Sequence, residues 1–437
     1  MSRAEPAWVR GDLSGLSIPA DIQALGEGGV SFLTDAFHSS GALALDNSVA
    51  RITTFEECSG GSTGRKLFLS LIYDRPQPGL PTDLFVKFSR DFDDPIRDRG
   101  KDQMEGEVRL AALSRSRGFP IAVPTCLFAD YHAESETGLL ITQRIGFGED
   151  EVERHYDKCL DAEMPRPLEH YQALVKAVAR LAGTHKGGRL TCDVDALFDF
   201  DPAAAAARDP IRYDARQILN RLSRWAAFGV KHTGLVPEAL SAPRFIAKLR
   251  EDAPRFLEHE PAIKRFLHAD PDFVALCHWN ANVDNAWFWR GEDGALQCGL
   301  MDWGRVGQMN VALALWGAFS AAEPAMLEEH LDGLLALFVA EYRAQGGPAV
   351  EVSDLALHLE LFVATMGLAW LMDAPALIEA WVPELDAIQD RRDPRFSQNE
   401  AARTQLHMAT NFLNLWRVRD FGAALDRFVC LSEASAS

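Results

Sequence analysis

The spacing of apolar residues changes several times along the chain, and each change predicts a different kind of element. Over 20–38, Ile22, Leu25, Val30, Leu33 and Phe37 recur at roughly helical intervals, interrupted by Gly26, Gly28 and Gly29, which predicts one leading helix or two. From Val49 the period becomes strand-like. VARITTFEEC, LFLSLIYD and LPTDLFVKFSR, joined by SGGSTGRK and then by a Pro/Gly-rich turn, predict three antiparallel strands with tight connections. GKDQMEGEVRLAALSRSRGF then lines one side of a helix with Met104, Val108, Ala111 and Leu113, closed near Gly118. Two further strands are predicted over 121–128 and 138–145, completing a five-stranded sheet with one helix ahead of the hinge-like GFGED at 146–150.

Beyond that hinge the pattern is helical, beginning with HYQALVKAVARLAGTHKGG and continuing in amphipathic stretches after Asp209. One interruption stands out: FVALCHWNANVDNAWFWRGEDGALQCGLMDWG holds two short apolar strands, AWFW and LQCGLM, joined by the turn RGEDG and flanked by polar loops. The helices after it carry the Leu, Phe and Trp residues of a second core. The expected organisation is therefore α+β and two-lobed, with an antiparallel-sheet N-lobe over 1–145 and a mainly helical C-lobe over 146–437.

Composition narrows the classes. A chain of 437 residues with 47% hydrophobic content suits two cores and excludes a largely disordered protein. Its 44 Lys+Arg against 63 Asp+Glu give a net charge of -19 spread along the chain, which argues against a nucleic-acid partner. The seven scattered cysteines contain no Cys-x-x-Cys pair and read as reduced, structural thiols of a cytoplasmic protein. The start of the chain lacks the apolar run of a signal peptide, and the richest internal run, 361–372, is too short to span a bilayer, so neither secretion nor a membrane is expected. Oligomeric state is not legible.

The polar residues around the interrupting segment suit phosphoryl transfer, which needs phosphates held, a divalent metal held and an acceptor hydroxyl in line. Asn285 and Asp302 supply an amide oxygen and a carboxylate at the two ends of one hairpin, hard ligands for a divalent cation. Lys87 ends the third strand as a point charge for phosphate oxygens, and Glu107 or Glu105 on the following helix can pair with it. The Gly/Ser-rich loop between the first two strands (Ser59, Gly60, Gly61, Ser62, Thr63) is neither a Walker motif nor G-x-G-x-x-G; its position alone makes phosphate contact an expectation.

This layout resembles the aminoglycoside phosphotransferase family and its choline, fructosamine and ecdysteroid kinase-like relatives, within the protein-kinase-like fold. His278-Trp279-Asn280-Ala281-Asn282-Val283-Asp284-Asn285 matches the spacing of the family's His-x-Asp-x-x-x-x-Asn loop, and Leu300-Met301-Asp302-Trp303-Gly304 matches its second metal element. The resemblance covers about 49–320. It implies ATP and Mg2+ as cofactors, with Mg2+ on Asn285 and Asp302, phosphates on Lys87 and the 59–63 loop, adenine against Gln143 and Ile145, and a small-molecule hydroxyl acceptor. His278 would support the loop. Acidic residues such as Glu323, Glu328, Glu379 and Asp386 are candidates for the acceptor site.

The sequence departs from the family at one position: Asn280 stands where the catalytic aspartate is expected, and an amide accepts no proton. Three readings stay open: a slow or specialised kinase in which Asn280 orients the hydroxyl, a kinase that uses Asp284 instead, and a nucleotide-binding pseudokinase. A metal-dependent hydrolase built on His278, Asp284 and Asp302 is a further class, disfavoured because no His-x-His or His-x-x-x-His pair lies near this segment.

Overall fold

The computed structural model describes residues 6–436 apart from 59, 62 and 192. The chain is α+β and divides into two compact units. The first runs to Glu153 and takes in Leu190–Phe198 and Gly299–Val306; the second holds Arg154–Arg189, Asp199–Cys298 and the chain from Gly307 onward.

The first unit opens with two strands that no period announces, β1 (Trp8–Arg10) and β2 (Ser17–Pro19), paired antiparallel. Helix α1 (Ile22–Ser39) follows, started by the Asp21 carboxylate, which accepts from the Ala24 N–H at 2.8 Å. It is kinked at Gly29 (φ 52), so α1 is two helical segments in geometry. The kink resets the helical phase, and Val30, placed by its spacing on the inner stripe, is exposed instead.

Strands β3 (Val49–Glu57), β4 (Lys66–Tyr73), β5 (Asp83–Phe88), β6 (Cys126–His132) and β7 (Thr137–Gln143) form one antiparallel sheet in the order β3-β4-β5-β7-β6. Period-two alternation sorts its residues between two faces. Leu67, Leu69, Leu71, Leu84, Val86, Phe88, Leu139 and Ile141 pack with Phe32, Leu33 and Phe37 of α1 on one of them. The other face meets helix α2 (Gln103–Ser114), through Met104 and Val108 against Tyr131, and Ala111 against Cys126 and Leu140. Lys87, between Val86 and Phe88, therefore points to the α2 side.

One predicted strand moved. The strand read over 121–128 begins only at Cys126, because Pro120 and Pro124 have no N–H to give to a ladder. The intervening segment makes a single parallel bridge, Ala122 with Gly299, and the Ala122 carbonyl accepts from the Leu300 N–H at 3.0 Å.

The second unit is mainly helical, with α3 (Pro167–Lys186) packed on the helix Pro324–Ala344. The predicted strands within its polar interruption are β9 and β10, accompanied by two that were not foreseen. In chain order these are β8 (Val274–Cys277), β9 (Ala286–Arg290), β10 (Leu296–Leu300) and β11 (Gly307–Asn310), with β8 antiparallel to β11 and β9 paired to β10. The apolar run read as 361–372 lies, up to Trp370, in a longer helix, Val352–Trp370. By length and composition alone this helix could cross a membrane, but most of it is buried, with Leu355, Leu359 and Val363 in the core.

Candidate active site

In the first unit the strand register carries the chemistry. Lys87 on β5 lies opposite Lys66 on β4 and Leu140 on β7. Its Nζ donates to Glu107 Oε2 and to Asp302 Oδ1, both at 2.7 Å. Glu107 completes its own bonding by accepting from the Trp303 backbone N–H at 3.2 Å. Lys87 and Glu107 are each only 5% exposed, whereas the Asp302 side chain is 52% exposed. Burial opposes charge on both members of the pair and raises the Glu107 carboxyl from its ordinary value. For Lys87 the two adjacent carboxylates outweigh burial and hold the ammonium above its usual range.

The choice between Glu105 and Glu107 follows from helix phase. Two positions apart on α2, the two side chains point in different directions: Glu107 turns to the sheet, and Glu105 pairs with Arg109 one turn on. Asp302 is held in the left-handed region at φ 57, as is Arg305 at φ 61. Such backbone costs on the order of 1–3 kcal/mol per residue and persists where the surroundings enforce it, here around a carboxylate that meets a buried lysine.

Of the loop between β3 and β4, Ser59 and Ser62 lie outside the described residues. Gly60 and Gly61 have positive φ, and the loop's carbonyls are met by a residue that sequence reasoning passed over, Lys66. Gln143 is the exposed last residue of β7, its N–H donating to the Thr125 carbonyl at 2.8 Å, and Ile145 is half-buried just beyond.

In the second unit the HWNANVDN segment leaves the fully buried β8 and closes on itself. The buried His278 accepts from the Asn280 N–H through Nδ1 at 3.0 Å. Asn282 Nδ2 donates to Asn280 Oδ1, Asn285 Nδ2 donates to the Asn280 carbonyl at 2.8 Å, and the Asn285 N–H donates to the Asn282 carbonyl at 2.9 Å. Helix Val311–Phe319 backs the loop: a Cβ at Gly317 would lie 2.0 Å from the Trp279 carbonyl oxygen, so only glycine permits this approach. With its nitrogen engaged by Asn280, the ligand-capable atom of Asn285 is its amide oxygen. That oxygen and the half-exposed Asp302 carboxylate are donors of the type Mg2+ takes.

The acidic residues expected around an acceptor are engaged with basic partners: Glu323 with Arg391 at 2.8 Å, Glu328 with Arg417 at 3.0 Å and Asp386 with Lys231 at 2.6 Å. Glu379 is exposed on the helix Ala374–Trp381. The carboxylate that sequence reasoning missed is Asp161, 1% exposed and accepting from the Tyr171 hydroxyl at 2.5 Å. Burial, reinforced by Glu323 and Asp284 and opposed by Tyr171, pushes it up to about 7. Nothing in the local sequence marked it, since its burial and its charged neighbours Glu323 and Asp284 come from distant segments.

Asp161 has a consequence for stability. Between about pH 4 and pH 7 the folded protein keeps a proton that the unfolded chain releases, so the group's contribution to stability is lost as pH rises through that window. Asp161→Asn is expected to flatten this slope and to stabilise the protein at pH 8 by about 2 kcal/mol, read from urea unfolding at pH 5 and pH 8.

No family model matches the chain, and no curated protein matches it. Among solved structures, it is similar to a microcompartment-associated aminopropanol kinase, at 12% identity over 84% of this chain and 93% of that one, with a TM-score of 0.39. It is similar to a spectinomycin phosphotransferase in complex with ADP and spectinomycin at 12% identity, 83% and 94% coverage and a TM-score of 0.39. A third likeness is to a choline kinase from Cryptosporidium parvum, at 14% identity, 82% and 88% coverage and a TM-score of 0.37.

Proposed function

We propose that this chain is a cytoplasmic, ATP- and Mg2+-dependent phosphotransferase that moves the γ-phosphate of ATP to a hydroxyl of a small molecule. The observation that carries the reading is the buried Lys87–Glu107 pair joined to Asp302. A lysine kept charged against burial, and linked to a half-exposed carboxylate, is an arrangement suited to polyphosphate with its cation and has little value as packing.

In this reading Lys87 exchanges its bond to Asp302 for phosphate oxygens while Glu107 keeps its position. The Gly60, Gly61 and Thr63 segment covers the phosphates, with Ser59 and Ser62 assigned to it from the sequence alone. Gln143 and Ile145 face the adenine. Asp302 and Asn285 would hold Mg2+, which when bound offsets the charge of the phosphates. Asn280 meets the acceptor hydroxyl. Its Oδ1 already accepts from Asn282, so it offers Nδ2 as a donor that orients the hydroxyl without taking its proton.

Asn280 also favours a second reading, a nucleotide-binding pseudokinase, which keeps the metal and phosphate groups and omits transfer. Both readings share one test. ATP titrated into the wild type is expected to bind at least about 10-fold more tightly with Mg2+ than without, and Asp302→Ala to lose that difference. A wild type whose nucleotide binding ignores Mg2+ removes both.

A further inference from the structure

Lys66 is a second buried lysine on the α2 face of the sheet. It is the first residue of β4, lies opposite Lys87 in the β4–β5 register and is 9% exposed. Its Nζ donates to the Gly60 carbonyl at 2.7 Å and to the Thr63 carbonyl at 3.4 Å, and among the described residues it makes no ion pair. The loop is closed down on it: a Cβ at Gly61 would lie 2.0 Å from Nζ. Arg97 reaches the same loop, donating to the Gly64 carbonyl and, at 3.5 Å, to the Gly60 carbonyl.

Lys66 and Lys87 are therefore held differently. Lys87 has two carboxylates; Lys66, on the same face, has two neutral carbonyls. Carbonyl dipoles replace only part of the hydration that a buried ammonium loses, so Lys66 rests in a site that leaves its charge largely uncompensated. An anion would supply the compensation these carbonyls do not, and the segment against Lys66 is the loop assigned above to phosphate.

We infer that Lys66 is a second phosphate-contacting lysine of this site, its ammonium leaving the Gly60 and Thr63 carbonyls for a phosphate oxygen of ATP. This rests on the ATP-binding reading above and adds to it a residue that the family motifs do not assign. No bond is made or broken in the step; a hydrogen-bonded cation changes acceptors.

The charged and titratable groups facing Lys66 are Lys87 from β5, Glu107 from α2, Asp302 from the turn after β10, Arg97 from the segment after β5 and Cys58 at the end of β3. Burial first, then Lys87, pushes the Lys66 ammonium down to about 8, with Asp302 and Glu107 opposing and Arg97 assisting. Lys87 and Cys58 are both held above their ordinary values, outside this window. Free protein thus loses the Lys66 proton as pH rises through about 8. ATP, which needs the charged form, should bind with proton uptake and more weakly above that pH.

Calorimetric titration of wild type, Lys66→Met and Lys66→Arg with ATP and with adenosine, at pH 7.5 and pH 9, tests this. For the wild type, ATP affinity is expected to fall about 10-fold across that interval with proton uptake, and adenosine affinity to stay constant. Lys66→Met should weaken ATP about 10- to 100-fold at pH 7.5 and leave adenosine unchanged, and Lys66→Arg should bind ATP nearly as well at both pH values. Equal ATP binding by Lys66→Met and wild type, equal weakening of ATP and adenosine, or a wild-type ATP affinity flat with pH would each overturn the inference. If the methionine variant does not fold, the wild-type pH series and the arginine variant decide. A wild type that binds no ATP at either pH refutes the phosphotransferase reading itself.

Discussion

Lys87→Met is expected to lower ATP-dependent phosphoryl transfer by at least about 1,000-fold and to destabilise the protein by about 3–5 kcal/mol. The two effects have separate causes. Activity falls because the ammonium that bonds to Glu107 and Asp302 is gone. Stability falls because Glu107, 5% exposed, is left buried without its counter-charge. Adding Glu107→Gln to Lys87→Met removes the stranded charge, so the double variant should regain most of the lost stability while activity stays at the floor. Chemical unfolding together with an ADP-release assay reads both. A Lys87→Met variant of wild-type stability would show that the pair is not held as described, and unchanged activity would remove Lys87 from the site.

Asn280→Asp is expected to act in the opposite direction, raising phosphoryl transfer, or background ATP hydrolysis, by about 100-fold or more. The exchange leaves the loop's bonds in place: an aspartate still accepts from Asn282 Nδ2, its carbonyl still accepts from Asn285, and its N–H still donates to His278. What changes is the second side-chain atom, from an NH2 donor to a carboxylate oxygen that can take a proton from the attacking hydroxyl. General-base help of this kind contributes on the order of 10²- to 10⁴-fold. The KM for ATP should be unaffected, since nucleotide contacts are assigned to other residues. Loss of activity in this variant would show that orientation of the hydroxyl by the Asn280 amide outweighs what a general base adds there, and no change would favour the pseudokinase reading.

The site was legible in the sequence to the extent that its residues announce themselves locally. The His278 to Asn285 spacing, the Asp302 turn and Lys87 in a third strand all lie within short windows whose period and turn chemistry can be read directly. Glu107 stood beside Glu105 with nothing in the sequence to separate them; the phase of α2 against the sheet does so. Lys66 looked like an ordinary polar residue after a loop, and Asp161 like one acid among many.

By itself, the sequence determined the five-stranded sheet with its helix, the largely helical remainder and the spacing of the loop polar groups, while the short strands β1, β2, β8 and β11 escaped it. These depend on side-chain period, on proline and glycine, and on near neighbours, which act over a few residues. Only the tertiary structure decided which charges are buried and what faces them. Asp302 reaches Lys87 across 215 positions, and the Asp161 carboxyl is pushed up by burial and by carboxylates far along the chain. Desolvation and electrostatic fields sum over everything packed nearby, whatever its place in the sequence, and a linear reading has no access to that sum.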